Sequence, residues 1–184
     1  MEKTNIISPI RTLILTIFAM IAFAANSIFC RYALGGNLID ASSFTIIRIG
    51  SGGLLLAIFC LIGKKDFKNP NPGKNKWLMP IMLTTYALFF SYAYISLSAG
   101  TGALILFGAV QATMIIAGWL SGERMNLIQF SELFMALLGL IYLVLPGLSA
   151  PSPFGAFLMI IAGIAWGIYS LLGRTSIDPV ATTS

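Results

Sequence analysis

The chain has 184 residues, of which 58% are hydrophobic and 9% charged, and its mean hydropathy is +0.91. Soluble globular domains carry about 25% charged residues, so this chain has too few charges to cover a water-facing surface, and a polytopic membrane protein is expected. The net charge of +5 then bears on orientation in a bilayer rather than on nucleic-acid binding. Histidine is absent from the sequence, and Cys30 and Cys60 fit neither a metal-ligand spacing nor a disulfide framework. No metal or other cofactor is expected.

The apolar residues fall into segments long enough to cross a membrane. A helix needs about 20 residues to span the hydrocarbon core, and six segments approach that length. Helices are expected because a lipid-exposed backbone must satisfy its own hydrogen bonds, and the alternating pattern of barrel strands is missing from the sequence. The fold class expected is an all-α integral membrane protein with six transmembrane helices. The segments are 12–31, 43–62, 78–98, 102–121, 127–145 and 154–172.

The distribution of basic residues predicts the orientation. Five lysines lie in loop 63–77, and further basic residues precede the first span and follow the fourth and sixth. All of these segments share one side if the helices alternate. The connections on the other side, 32–42, 99–101 and 146–153, contain no Lys or Arg. By the positive-inside rule the N-terminus is cytoplasmic, in a multi-pass protein of the inner (plasma) membrane.

A stretch of the first span returns in the sixth. Residues 19–31 and 162–174 share five identities at a constant offset of 143, and both copies end on arginine. Because five spans separate their starts, the two copies lie on helices that run in opposite directions. Inverted-topology repeats are typical of secondary transporters, whose substrate site lies near the midplane at the repeat interface.

The repeat predicts how the chain is divided. Residues 1–150 form a first five-helix repeat, and 151–184 hold the first helix of a second, incomplete repeat. After each copy comes an Ile-Asp pair, Ile39-Asp40 and Ile177-Asp178, at an offset of 138. On that alignment Ser184 matches Ile46, where the second span is starting. We therefore interpret the chain as truncated by about four helices relative to two full repeats.

Several short motifs occur in a specific order. They are 25–31 in span one, 44–48 opening span two, 102–111 and 122–124 around span four, and 162–169 in span six. Together they resemble EamA-type transporters of the drug/metabolite transporter superfamily, over residues 12 to 180 or so. The resemblance implies ten helices in two inverted five-helix repeats and movement of small metabolites across the inner membrane. Two positions depart from the family pattern: Val110-Gln111 replaces a frequent proline, and Ser131-Glu132 a frequent glycine.

Polar side chains inside spans are the candidate functional residues, because the bilayer makes them costly. Gln111, in the middle of span four, could hydrogen-bond a polar substrate or simply another helix. Arg48, five residues into span two, could attract an anionic substrate group or snorkel to the interface as an anchor. Glu132, near the cytoplasmic end of span five, could couple transport to protons or snorkel.

Aromatic and amide groups of the two repeat copies form a second set of candidates. Asn26 and Tyr169 are equivalent at the offset of 143, and Trp166 lies one turn from Tyr169. A cavity lined by such groups would suit an amphipathic metabolite, while packing or an interfacial aromatic belt is the alternative. Tyr86 belongs to a polar side of span three, for which packing is again the alternative. The pairs Gly118/Gly122 and Gly163/Gly167 fit close helix crossings.

The leading hypothesis is a secondary transporter, an exporter of small metabolites that works by alternating access. Its expected partners are the lipid bilayer, a small-molecule substrate and, for a truncated chain, a second chain that supplies the missing helices; no nucleic acid is expected. A truncated chain could also be inactive alone. A non-transporting structural or accessory membrane protein is the alternative, and a small multidrug-type dimer is disfavoured by the six spans. An enzyme is not expected, because there is no histidine and Glu132 is the one acid inside a predicted span.

Overall fold

The computed structural model describes residues 9–62, 77–122 and 151–174, together with the helical positions 131, 134, 135 and 138. The described segments form helices, and no strand occurs among them. In chain order the helices are α1 (Pro9–Gly35), α2 (Ala41–Ile62), α3 (Leu78–Ala93), α4 (Ala99–Leu120) and α5 (Pro153–Arg174).

These helices correspond to the first four predicted spans and to the sixth. α1, α2, α4 and α5 are long and apolar enough to cross a membrane, and α3 is a shorter apolar helix of 16 residues. Most of the predicted fifth span, 127–145, lies outside the described residues, as do loop 63–76 and Glu132. The described part of the chain is therefore all-helical, with four helices suited to a multi-pass membrane protein, while the count of six stays a prediction.

The link between α1 and α2 is stabilised by its polar residues. Asn37 has a φ of 51°, a left-handed conformation that asparagine tolerates, and turns the chain after α1. Asp40 then caps α2, since its Oδ2 accepts a hydrogen bond of 2.8 Å from the Ser43 backbone N–H. The hydrogen bonds from the Ser43 backbone and side chain lower the pKa of the exposed Asp40 carboxyl.

The link between α3 and α4 corrects a sequence-based boundary. We expected span three to continue to residue 98 and a turn at 99–101, and this is wrong: α3 ends at Ala93, and the turn covers 94–98. Ser98 begins α4, because its Oγ accepts a hydrogen bond of 3.2 Å from the Thr101 backbone N–H. Residues 99–101 therefore form the first turn of a capped helix.

Contacts between helix ends define the directions of the helices. Arg31, near the end of α1, donates to the carbonyl oxygen of Tyr94, just after α3. Thr45, near the start of α2, donates to Ser91 near the end of α3. At Gly155, near the start of α5, an added Cβ would clash with Ser96 and Leu97. Thus α2, α4 and α5 begin at the end of the bundle where α1 and α3 finish, as expected for alternating spans one to four and six.

α4 and α5 pack closely along a stripe of small residues. A Cβ added at Gly163 would lie 2.5 Å from the Cβ of Ala109, and one added at Gly167 would lie 2.9 Å from the Cβ of Thr113. The close crossing expected for this glycine pair is therefore confirmed. In the other pair, Gly122 follows the end of α4 with a φ of 83°, a conformation suited to a glycine that terminates a helix.

Candidate functional site

A cavity of about 580 Å³ lies between α1, α2, α3 and α5. Its volume is within the range of roughly 300–1,000 Å³ found for small-molecule sites. Small residues of α2 leave room for it, because Gly52 and Gly53 have no described atom within 4 Å of an added Cβ. The polar and aromatic residues among those that line it are Phe23, Asn26, Arg48, Tyr86 and Trp166.

Arg48 is directed from α2 toward α3. Its Nη2 donates a hydrogen bond of 3.1 Å to the Tyr86 hydroxyl. Its Cζ lies 4.8 Å from the centre of the Phe90 ring and 5.4 Å from that of Tyr86, distances suited to cation–π contacts. The guanidinium thus lies between helices and lines the cavity.

The Arg48 guanidinium is not fully satisfied by the described residues. Its Nη1 is buried and has no hydrogen-bond partner among them. Of the six acidic residues in the sequence, only Asp40 is described, and its carboxylate caps α2 instead of facing Arg48. Burying a cation without a counter-charge is costly, so this arrangement is favourable for an anionic group that enters the cavity.

Trp166 is the centre of an aromatic wall. Its ring centroid lies 4.6 Å from that of Tyr86, 5.4 Å from that of Tyr169 and 6.5 Å from that of Phe23. Phe23 extends the wall to α4 through an edge-on contact of 6.1 Å with Phe107. Flat aromatic faces of this kind bind planar apolar groups and position them by ring geometry.

Asn26 adds an amide to the α1 side of the cavity. Its Oδ1 accepts a hydrogen bond from the Cys30 thiol at 3.8 Å, and its side chain also interacts with the Tyr86 hydroxyl. An amide nitrogen carries two N–H donors. The amide can therefore offer a donor to a ligand while its oxygen remains bonded to Cys30.

A polar layer lies toward the end of the bundle where α2 begins. We define it by Arg31, Ser42, Thr45, Ser91 and Tyr92. The Ser42 and Tyr92 hydroxyls are 2.7 Å apart, and Thr45 Oγ1 donates to Ser91 Oγ at 2.8 Å. Arg31 Nη1 donates to two carbonyl oxygens that follow α3, at 3.0 and 2.9 Å. Thr45 precedes Arg48 by about one turn, so the Thr45–Ser91 bond joins α2 to α3 close to the cavity, while Arg31 joins α1 to the residues that follow α3.

The structure brings together four of the residues proposed from sequence, namely Asn26, Arg48, Tyr86 and Trp166. Tyr169 stacks on Trp166 but is not one of the residues lining the cavity. Gln111 is exposed on α4 and lies outside the cavity. Glu132 lies outside the described residues. Substrate contact by the first six and proton coupling by Glu132 stay predictions.

The sequence-based reasoning missed the bond between Thr45 and Ser91. Ser91 donates its proton to the carbonyl of Ala87, and the single hydroxyl proton of Thr45 is shared between Ser91 Oγ and the carbonyl of Ala41, each carbonyl lying four residues earlier in the same helix. A Thr or Ser inside a span is commonly satisfied in this way, so nothing in the sequence singles out this pair. The sequence indicates this pair only through its position, since Thr45 lies near Arg48 and Ser91 near Tyr86 along their helices.

Comparison with known proteins gives two matches. The sequence model of the EamA-like transporter family matches residues 10–145. The uncharacterized protein PA1977 of Pseudomonas aeruginosa is 49% identical over 174 residues, which cover 95% of this chain and 60% of that protein. The chain thus spans 60% of the length of the curated relative that it matches. No solved structure matches the chain.

Proposed function

The chain belongs to the EamA-like transporter family, and we propose that it moves small metabolites across the inner membrane through the cavity between α1, α2, α3 and α5. The family is one of membrane transporters of the drug/metabolite type. The finer proposal is secondary transport by alternating access, in the direction of export, with a cytoplasmic N-terminus.

The observation that carries the proposal is a cavity of about 580 Å³ inside an apolar helical bundle. Its lining combines aromatic faces with a few polar groups, the guanidinium of Arg48 and the amide of Asn26 among them. Polar groups at membrane depth are costly and are usual along substrate pathways. A cavity serving only for packing would gain nothing from a buried guanidinium whose Nη1 has no described partner.

The polar layer gives the proposed cycle a structural element to open. Alternating access requires that the site be closed on one side while it is open on the other. In the structure, the Thr45–Ser91 and Ser42–Tyr92 bonds join α2 to α3 on one side of the cavity. With a cytoplasmic N-terminus this side faces outward, and export would require these bonds to break.

Transport is tested with the purified chain in proteoliposomes. Release of a preloaded library of small metabolites is measured with the unchanged chain and with the cavity variant Trp166→Ala. The variant Trp119→Ala is the matched control, because Trp119 is 73% exposed on α4 and does not line the cavity. We expect release that is lost in Trp166→Ala and kept in the control.

The transport assay needs a second arm, because the chain matches only part of its relative's length. Because it spans 60% of that protein, the same assay is repeated after co-reconstitution of this chain with the remaining helices of the relative. Release only in this arm would identify a chain that works with a partner. Absence of release in both arms would favour a non-transporting accessory protein.

A further inference from the structure

We propose that the cavity selects planar aromatic monocarboxylates, with the carboxylate bound by Arg48 and the ring placed against Trp166. This inference rests on the proposed function and adds the substrate class. It goes beyond the family assignment, which specifies no charge, shape or functional group of the transported molecule.

The charge of the substrate follows from what surrounds Arg48. Its Nη2 is occupied by the Tyr86 hydroxyl at 3.1 Å, while Nη1 is buried without a partner in the described part of the chain. A carboxylate is planar and accepts two parallel N–H bonds from a guanidinium. Because Nη1 is buried in the structure, a bidentate contact requires Arg48 to rotate away from Tyr86 so that both nitrogens face a ligand in the cavity.

The absence of a nearby acid among the described residues separates monocarboxylates from amino acids. The one described carboxylate, Asp40, is at the start of α2, where it caps that helix. A ligand ammonium would therefore meet the Arg48 cation without a compensating acid in the described cavity lining. Like charges at short range are repulsive and are weakly screened inside a bilayer protein, so zwitterions and cations should bind worse than simple anions.

The shape of the substrate follows from the aromatic wall. Trp166, Tyr86 and Phe23 present rings that meet at 4.6 and 6.5 Å around the cavity. A planar ring can stack against such faces with an added contribution beyond the buried area. Arg48 and Trp166 both contact Tyr86 and both line the cavity, so we place the carboxylate close to the ring of the ligand.

The test uses benzoate as the probe and Trp166 fluorescence as the readout. The sequence has three tryptophans, and Trp77 and Trp119, which are 70% and 73% exposed, are replaced by Phe. Binding is measured on the 184-residue chain in detergent. Benzamide is the neutral analogue, benzylamine the cation and phenylalanine the zwitterion.

We expect benzoate to quench Trp166 and to bind about 10- to 100-fold more tightly than benzamide, the ratio for one charge-assisted hydrogen bond. Arg48→Gln should remove this preference, and Arg48→Lys should keep part of it. Arg11→Gln is the matched control, because Arg11 is exposed on α1 and does not line the cavity. Equal binding of benzoate and benzamide, no binding of benzoate, or tighter binding of phenylalanine or benzylamine would each overturn the proposal.

The comparison of benzoate with benzamide uses the unchanged binding site, so it holds even if an Arg48 variant does not fold. It is also independent of transport. Arg48-dependent benzoate binding without flux in proteoliposomes would contradict the proposed function and leave this inference standing. Flux of cationic or neutral compounds without benzoate binding would support the proposed transport function and contradict the inferred substrate class.

Discussion

The close crossing of α4 and α5 predicts that Gly163→Ala destabilises the protein. An alanine Cβ would lie 2.5 Å from the Cβ of Ala109, whereas carbon atoms in contact prefer about 3.5–4.0 Å. It would also lie 2.8 Å from the carbonyl oxygen of Leu106 and 3.3 Å from the backbone nitrogen of Val110. Because backbone atoms cannot rotate away, the two helices must separate by about 1 Å.

The magnitude follows from two opposing effects. Overpacking costs about 1–3 kcal/mol, and a contact with backbone belongs near the upper limit. Alanine in place of glycine recovers about 1 kcal/mol of helix propensity. We therefore expect the free energy of unfolding to fall by about 2 kcal/mol, the upper cost less the recovered propensity.

The measurement is thermal unfolding of the purified protein in detergent, followed by helical circular dichroism. Gly50→Ala in α2 is the matched control, because no described atom lies within 4 Å of its added Cβ. The control changes propensity alone and should leave the melting temperature unchanged or raised. Equal melting temperatures for Gly163→Ala and Gly50→Ala would refute the close packing of α4 against α5.

Three further predictions concern the polar residues at the helix ends. The hydrogen bonds that lower the Asp40 pKa below its ordinary 3.8 stabilise the fold above that value, and this contribution is lost as the pH falls through the lowered pKa. Below about pH 4, the melting temperature of the unchanged protein should therefore fall more steeply than that of Asp40→Asn. A double-mutant cycle of Thr45→Val and Ser91→Ala should give a coupling of about 0.6 kcal/mol in unfolding free energy, the average for hydrogen bonds between membrane helices. A coupling of zero would contradict the 2.8 Å bond. Arg31→Gln should lower the unfolding free energy by about 1 kcal/mol, because two partly exposed hydrogen bonds from Arg31 to carbonyl oxygens are lost. Arg11→Gln, at an exposed position, is the control, and an equal loss in that variant would show that the Arg31 bonds contribute nothing.

The helices themselves could be predicted from the sequence, because their cause is local. Runs of about 20 apolar residues have one stable backbone arrangement in a bilayer, and α1, α2, α4 and α5 lie where such runs do. The boundary between α3 and α4 could not be predicted in the same way. Residues 94–98 contain no charged residue, glycine or proline to mark a break, and only the capping bond of Ser98 shows where α4 begins.

The candidate site was only partly predictable, because a side chain's direction depends on neighbours that are distant in sequence. Arg48 lies near enough to a helix end to snorkel, and the deciding contacts, with Tyr86 and Phe90, come from another helix. For Gln111, the sequence suggested a cavity position that the structure does not show. Its central position in α4 suggested a cavity, but the small residues next to it pack against α5 and leave it exposed.

The contact between Phe23 and Trp166 gives the predicted inverted repeat a geometric consequence. The two residues are equivalent at the offset of 143, and their ring centroids lie 6.5 Å apart. In a pair of units related by a two-fold axis, equivalent residues touch each other only near that axis. α1 and α5 also run in opposite directions, as inverted repeats require. The predicted repeat therefore places its axis close to this ring pair. Trp166, whose ring contacts Tyr86 beside Arg48, then lies at the repeat interface, where transporters of this architecture hold their substrate. The aromatic wall would on that basis be the part of the cavity that both access states share.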